Sequence, residues 1–466
     1  MSHAPIEVDV AAIGTGQATP ALATALAARG ESVVVFERRL VGGSCVNVGC
    51  TPTKTLRKTA QVAHLARRGA EFGVHVGTVT VDVPAAMARV QAIVEASRSG
   101  LERWLGGTDN LQLVRADARF NGRHDERFVI EAGSKRYHAS RVYLNVGTRP
   151  ALPPIPGLAG ATPLTNESIM ALRVAPTHLI IIGGSYIGLE FAQIFRRLGS
   201  DVTVIEASGA IASRETPDIS ARLTEMLESE GIRILAGAAI ESVTRDAQGG
   251  VRVIVAGHPV AIDGTELLAA TGRTPNTDGM GLETVGVTLD AQGYIPVDGT
   301  LATAVPGIWA LGDVNRRGAF THTAWQDHEI VLANRTADNR TADGRITTYA
   351  MYTDPPLGRI GMHEGEARVA MRTGRRFLFA QHEMSNVSRA REEGETIGVI
   401  KVLVDADTDR FAGITMLGIH ADEIVQVIGA MMAADAPYQA LRDFLPVHPT
   451  VTEFFPTILG KLAPLE

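Results

Sequence analysis

The fold class expected from this sequence is α/β: two Rossmann-like dinucleotide-binding units followed by a C-terminal α+β region. A strand, a Gly-x-Gly turn, a helix and a second strand ending in an acid run from Val8 to Glu37, and the same order returns from Leu179 to Glu206. From about residue 343 the pattern changes. Strands are expected at Ile397–Val404 and Ala412–Leu417, and helices at Ala421–Ala434 and near Tyr438–Phe444, which marks a separate region.

In the first unit, residues 8–13 read as a buried strand and Gly14-Thr15-Gly16 as the turn. An alanine-rich helix and the strand Ser32–Phe36 follow, ending at Glu37. Such a turn lets the backbone approach a pyrophosphate resting on the helix N-terminus, and the later carboxylate accepts ribose hydroxyls. Thr19 stands where the fingerprint has its third glycine, a position that governs helix–strand packing, so a slightly displaced helix is expected. In the second unit the strand Leu179–Ile182 leads into Gly183-Gly184-Ser185-Tyr186-Ile187-Gly188. A helix through Glu190 to Leu198 and the strand Val202–Ile205 follow, ending at Glu206. Here Ser185 holds the middle glycine position and adds a side chain beside the phosphates.

Gly14 to Glu37 and Gly183 to Glu206 are both 23 positions, and Gly30 and Gly199 each follow their first glycine by 16. Two copies in register make coincidence a poor explanation, so two dinucleotides are expected. Glu206 would accept a hydrogen bond from a free 2′-hydroxyl and repel a 2′-phosphate. The first arginine after it is Arg214, so the second site is expected to favour NADH over NADPH.

Between the units, residues 57–105 carry helical periodicity and Leu111–Tyr143 alternates as strands and turns. A strand ends at Gly147, and the extended Leu152-Pro153-Pro154-Ile155-Pro156-Gly157 marks a boundary. A similar strand end at Gly272 closes the second unit, and Ile308–Leu311 gives a strand that ends in Gly312-Asp313.

The chain's two cysteines lie in Gly42-Gly43-Ser44-Cys45-Val46-Asn47-Val48-Gly49-Cys50-Thr51-Pro52-Thr53-Lys54. Two cysteines in 466 residues are not a secreted disulfide scaffold, and neither a second pair nor a nearby histidine completes a zinc site. Inert buried thiols are the bland alternative; the glycine-rich setting beside a nucleotide unit favours a redox dithiol. In a regular helix, positions five apart rise about 7.5 Å, beyond the roughly 7 Å Cα separation a disulfide spans. The helix must therefore be distorted or begin between the cysteines, with Gly49 and Pro52 as plausible causes.

A net charge of −7 gives no reason to expect nucleic acid or an anionic membrane as partner. The N-terminus lacks the basic and apolar regions of a signal peptide, and no apolar run approaches the roughly 20 residues of a membrane span. The cytoplasm is the expected location.

With these motifs together, the chain resembles the flavoprotein disulfide reductases, the class I pyridine nucleotide-disulfide oxidoreductases that include lipoamide dehydrogenases, glutathione reductases and mercuric reductases. The resemblance covers nearly the whole chain. It rests on Gly-Gly-Ser-Cys-x4-Cys-x3-Lys, the second unit with Tyr186 and Glu190, Gly312-Asp313, and His448-Pro449-Thr450-x-x-Glu453. It implies FAD in the first unit, at Gly14, Gly16, Glu37, Gly42, Gly43, Ser44, Lys54, Gly147, Asp313, Thr323 and Ala324. It implies the nicotinamide cofactor in the second, at Gly183, Tyr186, Ile187, Gly188, Glu206 and Gly272. The implied domains are residues 1–152 and 276–342 for FAD, 153–275 for NAD(P), and 343–466 for dimerisation.

The same resemblance implies a homodimer whose active site is shared, with His448 and Glu453 reaching the dithiol of the other subunit. Cys50 would be the charge-transfer thiol beside the flavin and Cys45 the interchange thiol that attacks substrate. His448 would be the acid/base and Glu453 its orienting carboxylate. Lys54 and Glu190 would pair beside the flavin, Tyr186 would cover its face until the nicotinamide displaces it, and Asp313 would bind the ribityl chain. The subgroup most resembled is mercuric-reductase-like, through Gly-Thr-Gly-Gln-Ala and Thr-Pro-Thr-Lys-Thr. True mercuric reductases carry a further C-terminal cysteine pair, which Leu459–Glu466 lacks, and they lack the histidine that His448 provides. Phe320-Thr321-His322-Thr323-Ala324 resembles a lipoamide dehydrogenase segment. The implied function is electron transfer from NADH through FAD to Cys45–Cys50 and on to a small disulfide, or the reverse with a dithiol. The alternatives are reduction of a metal ion or quinone, and a redox-sensing flavoprotein without turnover.

Overall fold

The computed structural model describes residues 4–336 and 338–466. The chain opens with strand β1 (Ile6–Ile13), helix α1 (Thr19–Ala28) and strand β2 (Val33–Phe36). β1 from Val10 onward and all of β2 are buried, which their nearly unbroken apolar sequences require once both faces are covered. Helices α2 (Gly43–Val48), α3 (Cys50–Arg67) and α4 (Val83–Gly106) follow. The helical stretch expected across 57–105 is thus two helices. α3 gives way to a tight turn at Gly69–Phe72 that Gly73 closes at φ 74°, and α4 restarts with Asp82 accepting from the Ala85 amide at 2.9 Å.

Strands β3 (Leu111–Val114), β4 (Ala118–His124), β5 (Arg127–Ala132) and β6 (Lys135–Leu144) complete the first unit's sheet, in the order β3-β2-β1-β6-β5-β4. β3, β2, β1 and β6 run parallel, while β4, β5 and β6 form an antiparallel meander. Strand β7 (Thr148–Pro150) leads out.

The second unit repeats the plan. Strand β8 (His178–Ile182), helix α5 (Tyr186–Leu198), strand β9 (Asp201–Glu206), helix α6 (Pro217–Ser229) and strand β10 (Ile232–Ala236) come first. The meander β11 (Ile240–Arg245), β12 (Val251–Val255), β13 (Ile262–Gly264) and then β14 (Glu266–Ala269) follow. The parallel sheet has the order β10-β9-β8-β14. The exit strand β15 (Arg273–Pro275) pairs antiparallel with β7, so the two units are strapped together where each chain leaves its sheet. Strand β16 (Ile308–Ala310) then returns to the first sheet beside β6.

After helix α7 (Thr321–Asn334) comes a six-stranded C-terminal sheet. It contains β17 (Thr348–Met351), β18 (Leu357–Gly361), β19 (Phe377–Glu383), β20 (Val399–Asp405) and β21 (Arg410–Leu417). One apolar core joins Leu56 and Met87 of the helical pair, Leu189 and Leu227 of the second unit, and Met351 and Leu417 of this sheet. That shared core fixes the three bodies around the cysteine segment.

Candidate active site

A cavity of about 790 Å³ runs through the first unit towards the second. One end is lined by Phe36, Glu37, Arg38 and Ala116–Ala118, and the middle by the Gly14–Gln17 turn, Gly42–Ser44, Gly147 and Asp313. The other end holds Cys45, Cys50, Lys54, Tyr186, Ile187, Glu190, Thr321, Ala324 and Tyr352. Its size lies in the ordinary range for an organic cofactor or ligand.

The two nucleotide turns are built alike. Glu37 Oε2 accepts from the Thr15 amide at 3.0 Å and Oε1 from the Arg39 amide at 2.8 Å. Glu206 Oε2 accepts from the Gly184 amide at 2.6 Å and Oε1 from the Ser208 amide at 2.7 Å. Each acid therefore clamps its own glycine turn. Burial raises the Glu206 carboxyl, but the bonds from Ser208 and Gly184 outweigh it and hold the group below its ordinary value.

Both departures from the glycine fingerprint have partners. In the first unit a Cβ on Gly16 would lie 2.5 Å from Asn145 Oδ1. That same oxygen accepts from the Thr19 hydroxyl at 3.3 Å, so Thr19 is buried and satisfied. In the second unit the residue that packs on the first glycine in the same way is Ala270, which is too short to reach the turn, and Ser185 is accommodated in an extended conformation. There Gly188 carries the constraint, since a Cβ on it would lie 2.0 Å from the Gly183 carbonyl oxygen.

The cysteines lie on either side of a helix break. Cys45 is within α2, Gly49 has φ −129° and ψ −114°, and Cys50 begins α3. The expected interruption is at Gly49, where a Cβ would come within 2.9 Å of the Ser44 carbonyl oxygen. Both sulfurs are free thiols, and Cys50 Sγ is 3.3 Å from Thr321 Oγ1. The hydrogen bond from Cys45 lowers the Cys50 thiol to about 6, with Thr321 and the Lys54 charge assisting against burial and Glu190. The same bond, with burial, raises Cys45. Both shifts favour a thiolate at Cys50 over one at Cys45.

Lys54, one turn along α3 from Cys50, donates to Glu190 Oε2 at 2.7 Å and sits 4.4 Å from the centre of the Tyr352 ring. Glu190 is buried, and its Oε1 accepts from the Tyr352 amide at 2.9 Å. Tyr186 opens α5 and leans on Phe320, with ring centres 6.1 Å apart. Asp313 accepts from the Thr148 hydroxyl at 3.0 Å, and burial raises its carboxyl while nearby Arg273 lowers it.

His448 Nδ1 is 2.6 Å from Glu453 Oε2, and its side chain is 77% exposed. Neither lines the cavity, nor do Gly183, Gly188, Glu206, Gly272 or Thr323. Thr323 caps α7 through the Phe320 backbone. Sequence reasoning missed Asn145, Thr321, Arg273 and Asp327. The buried Asp327 accepts from the Gly312 amide at 2.7 Å and from Arg345 at 2.6 Å, fixing the turn before Asp313. Asn145 and Arg273 stand beside the strand ends at Gly147 and Gly272, but only the tertiary contacts give them work. FAD fits this lining: the cavity is continuous from the ribose-type acid Glu37, past the turn, to the dithiol. A side chain at Gly43 would press on the Gly16 backbone and one at Gly16 on Asn145, both of which form its wall.

Comparison with known proteins agrees with this architecture. The pattern of the family described as pyridine nucleotide-disulphide oxidoreductase matches residues 8–327, and that of its dimerisation domain matches residues 347–458. The probable pyridine nucleotide-disulfide oxidoreductase RclA of Escherichia coli is 32% identical over 447 residues, covering 95% of this chain and 96% of that one. A mercuric reductase of Streptomyces lividans is 34% identical over 91% of this chain and 90% of its own. A dihydrolipoyl dehydrogenase of Thermus scotoductus is 32% identical over 96% and 95%. The structure of the HOCl-induced flavoprotein disulfide reductase RclA from Escherichia coli superposes with a TM-score of 0.87 at 29% identity, over 97% of this chain and 99% of that one. This chain belongs to the pyridine nucleotide-disulphide oxidoreductases, flavoprotein enzymes that pass electrons between NAD(P)H and a disulfide through FAD.

Proposed function

We propose that this enzyme uses NADH to reduce a small organic disulfide, or oxidises the corresponding dithiol, through Cys45 and Cys50. The observation that carries this reading is the pair of free thiols, Cys45 and Cys50, beside the Lys54–Glu190 ion pair in one cavity. FAD, held along Gly14–Gly16, Gly42–Ser44, Gly147, Asp313 and Ala324, supplies the two-electron chemistry between nicotinamide and disulfide. Lys54 offers a fixed cation at the dithiol end, and Glu190 holds it there. Tyr186 screens that end until the nicotinamide enters. The second unit holds the nicotinamide cofactor along Gly183, Ile187, Gly188 and Gly272. Glu206, already bonded to its own turn, favours a ribose 2′-hydroxyl over a 2′-phosphate.

For substrate, the Cys45 sulfur attacks one sulfur of the disulfide, forming a mixed disulfide and releasing one thiolate. The Cys50 thiolate then attacks Cys45, closing the Cys45–Cys50 bond and releasing the second. Cys45 must first lose its proton, and the released thiolates must gain one. His448 serves both needs, oriented by Glu453. Because His448 is exposed and neither it nor Glu453 lines its own chain's cavity, we assign the pair to the cavity of a partner in a homodimer. The division into 1–152 with 276–342, 153–275 and 343–466, and a cytoplasmic setting, belong to the same reading.

A second reading is reduction of a soft metal ion by the dithiol, which the similarity to mercuric reductases favours. Stopped-flow turnover with NADH or NADPH, against lipoamide, other small disulfides, Cu(II) and Hg(II), tests both. Disulfide turnover that prefers NADH and disappears in Cys45→Ser is expected. Turnover only with metal ions replaces the first reading with the second.

A further inference from the structure

We propose that the Thr321 hydroxyl is a catalytic group of the dithiol, donating a hydrogen bond to the Cys50 sulfur whenever that sulfur is a thiolate. This rests on the assignment of Cys50 as the thiol facing the flavin. The contact is 3.3 Å, at the usual reach of a sulfur acceptor, and a thiolate has no proton, so the hydroxyl must be the donor. Among the described residues the Thr321 hydroxyl bonds to no nitrogen or oxygen; it also lies within reach of the Cys45 sulfur, so the two sulfurs of the dithiol are its acceptors. Cys50 is the first residue of the 18-residue α3 and Thr321 the first of the 14-residue α7, so the sulfur also lies at two helix N-termini.

The other groups around Cys50 cannot substitute for this donor. The titratable or charged ones are Cys45, Lys54, Glu190 and Tyr352. Lys54 is engaged with Glu190 at 2.7 Å, and the carboxylate opposes the thiolate, so much of the lysine's help is cancelled. Cys45 donates only while it keeps its proton. Once Cys45 is joined to a substrate sulfur it has none, and Thr321 is then the remaining hydroxyl or thiol donor at the Cys50 sulfur. That is the moment at which Cys50 must be a thiolate to attack Cys45.

The test uses the FAD holoenzyme with Cys45 alkylated by iodoacetamide, which mimics the mixed disulfide. The long-wavelength thiolate–flavin absorbance is titrated against pH in wild type, Thr321→Val and Thr321→Ser. Loss of one hydrogen bond to a charged group should raise the midpoint by about one pH unit, a tenfold fall in thiolate at a given pH below it. Thr321→Ser should restore the wild-type midpoint. An unchanged midpoint in Thr321→Val, or a shift that serine does not restore, overturns the proposal. If Thr321→Val does not retain FAD, the ultraviolet absorbance of the thiolate in Thr321→Ala against Thr321→Ser gives the same decision. Cys50→Ser separates the two levels: if it keeps the long-wavelength absorbance, the assignment of Cys50 fails, whatever Thr321 does.

Discussion

At the residue scale, chemistry here depends on which of two neighbouring thiols holds a proton. A thiol's ordinary value is near 9, whereas the bond from Cys45 and the help of Thr321 and Lys54, against burial and Glu190, bring Cys50 to about 6. The sign follows from the charged form being the favoured one: Cys50 is a thiolate above about 6 and is neutralised as the pH falls through that value. The two-electron-reduced enzyme should therefore hold its thiolate–flavin absorbance between pH 7 and 9 and lose it on acidification through about 6. A midpoint near 9 in that titration would contradict the geometry. Lys54→Met gives a second prediction at this scale. It leaves the buried Glu190 carboxylate with only the Tyr352 amide as partner. Since Lys54 is a third exposed, the cost should be about 2 kcal/mol in urea unfolding, below that of a fully buried pair. Flavin reduction by NADH should also slow.

At the element scale, the two nucleotide turns share one plan and differ in which glycine is indispensable. Asn145 reaches into the first turn, requires Gly16 and satisfies Thr19; Ala270 leaves the second turn open, so Ser185 is tolerated and Gly188 is not replaceable. The expectation of a displaced first helix rested on Thr19 alone and did not include Asn145, because that compensating side chain lies 126 residues away. Gly188→Ala should cost about 3 kcal/mol through the clash with the Gly183 carbonyl. It should weaken nicotinamide binding while bound FAD stays stoichiometric. Gly30→Ala, at φ 87° with open space around its Cβ position, should cost only about 1 kcal/mol, both costs being read from thermal melts, and leave both cofactors in place. Equal effects of the two substitutions would show that close helix–strand approach is not what Gly188 serves.

At the scale of the whole molecule, the segment before His448 is the most exposed apolar stretch near a chemical group. Phe444, Leu445 and Val447 are 60%, 88% and 75% exposed. Such side chains next to the exposed His448 suit burial against a second copy. Leu445→Asp should halve the sedimenting mass at micromolar concentration and abolish disulfide turnover, with flavin reduction by NADH retained. Full turnover in a monomer would remove the shared-site reading.

How much of this was legible in the chain follows from the range of each interaction. Periodicity, glycine spacing, the Cys-x4-Cys segment and the break it requires are local, so the sequence by itself determined the two nucleotide units, the paired cysteines and a helix interruption between them or just after. It also carried the family. The contacts that polarise the dithiol and anchor the turns are long-range: Thr321 meets Cys50 across 271 residues, Glu190 meets Lys54 across 136, and Asp313 meets Thr148 across 165. No periodicity encodes such pairs, because each depends on where separate sheets and helices are brought by a common core. The resemblance named Cys50 as the thiol beside the flavin; the donors and charges around it were decided only by the tertiary structure, since a thiol's titration is set by every such group within a few ångströms, and the chain's order does not list its neighbours in space.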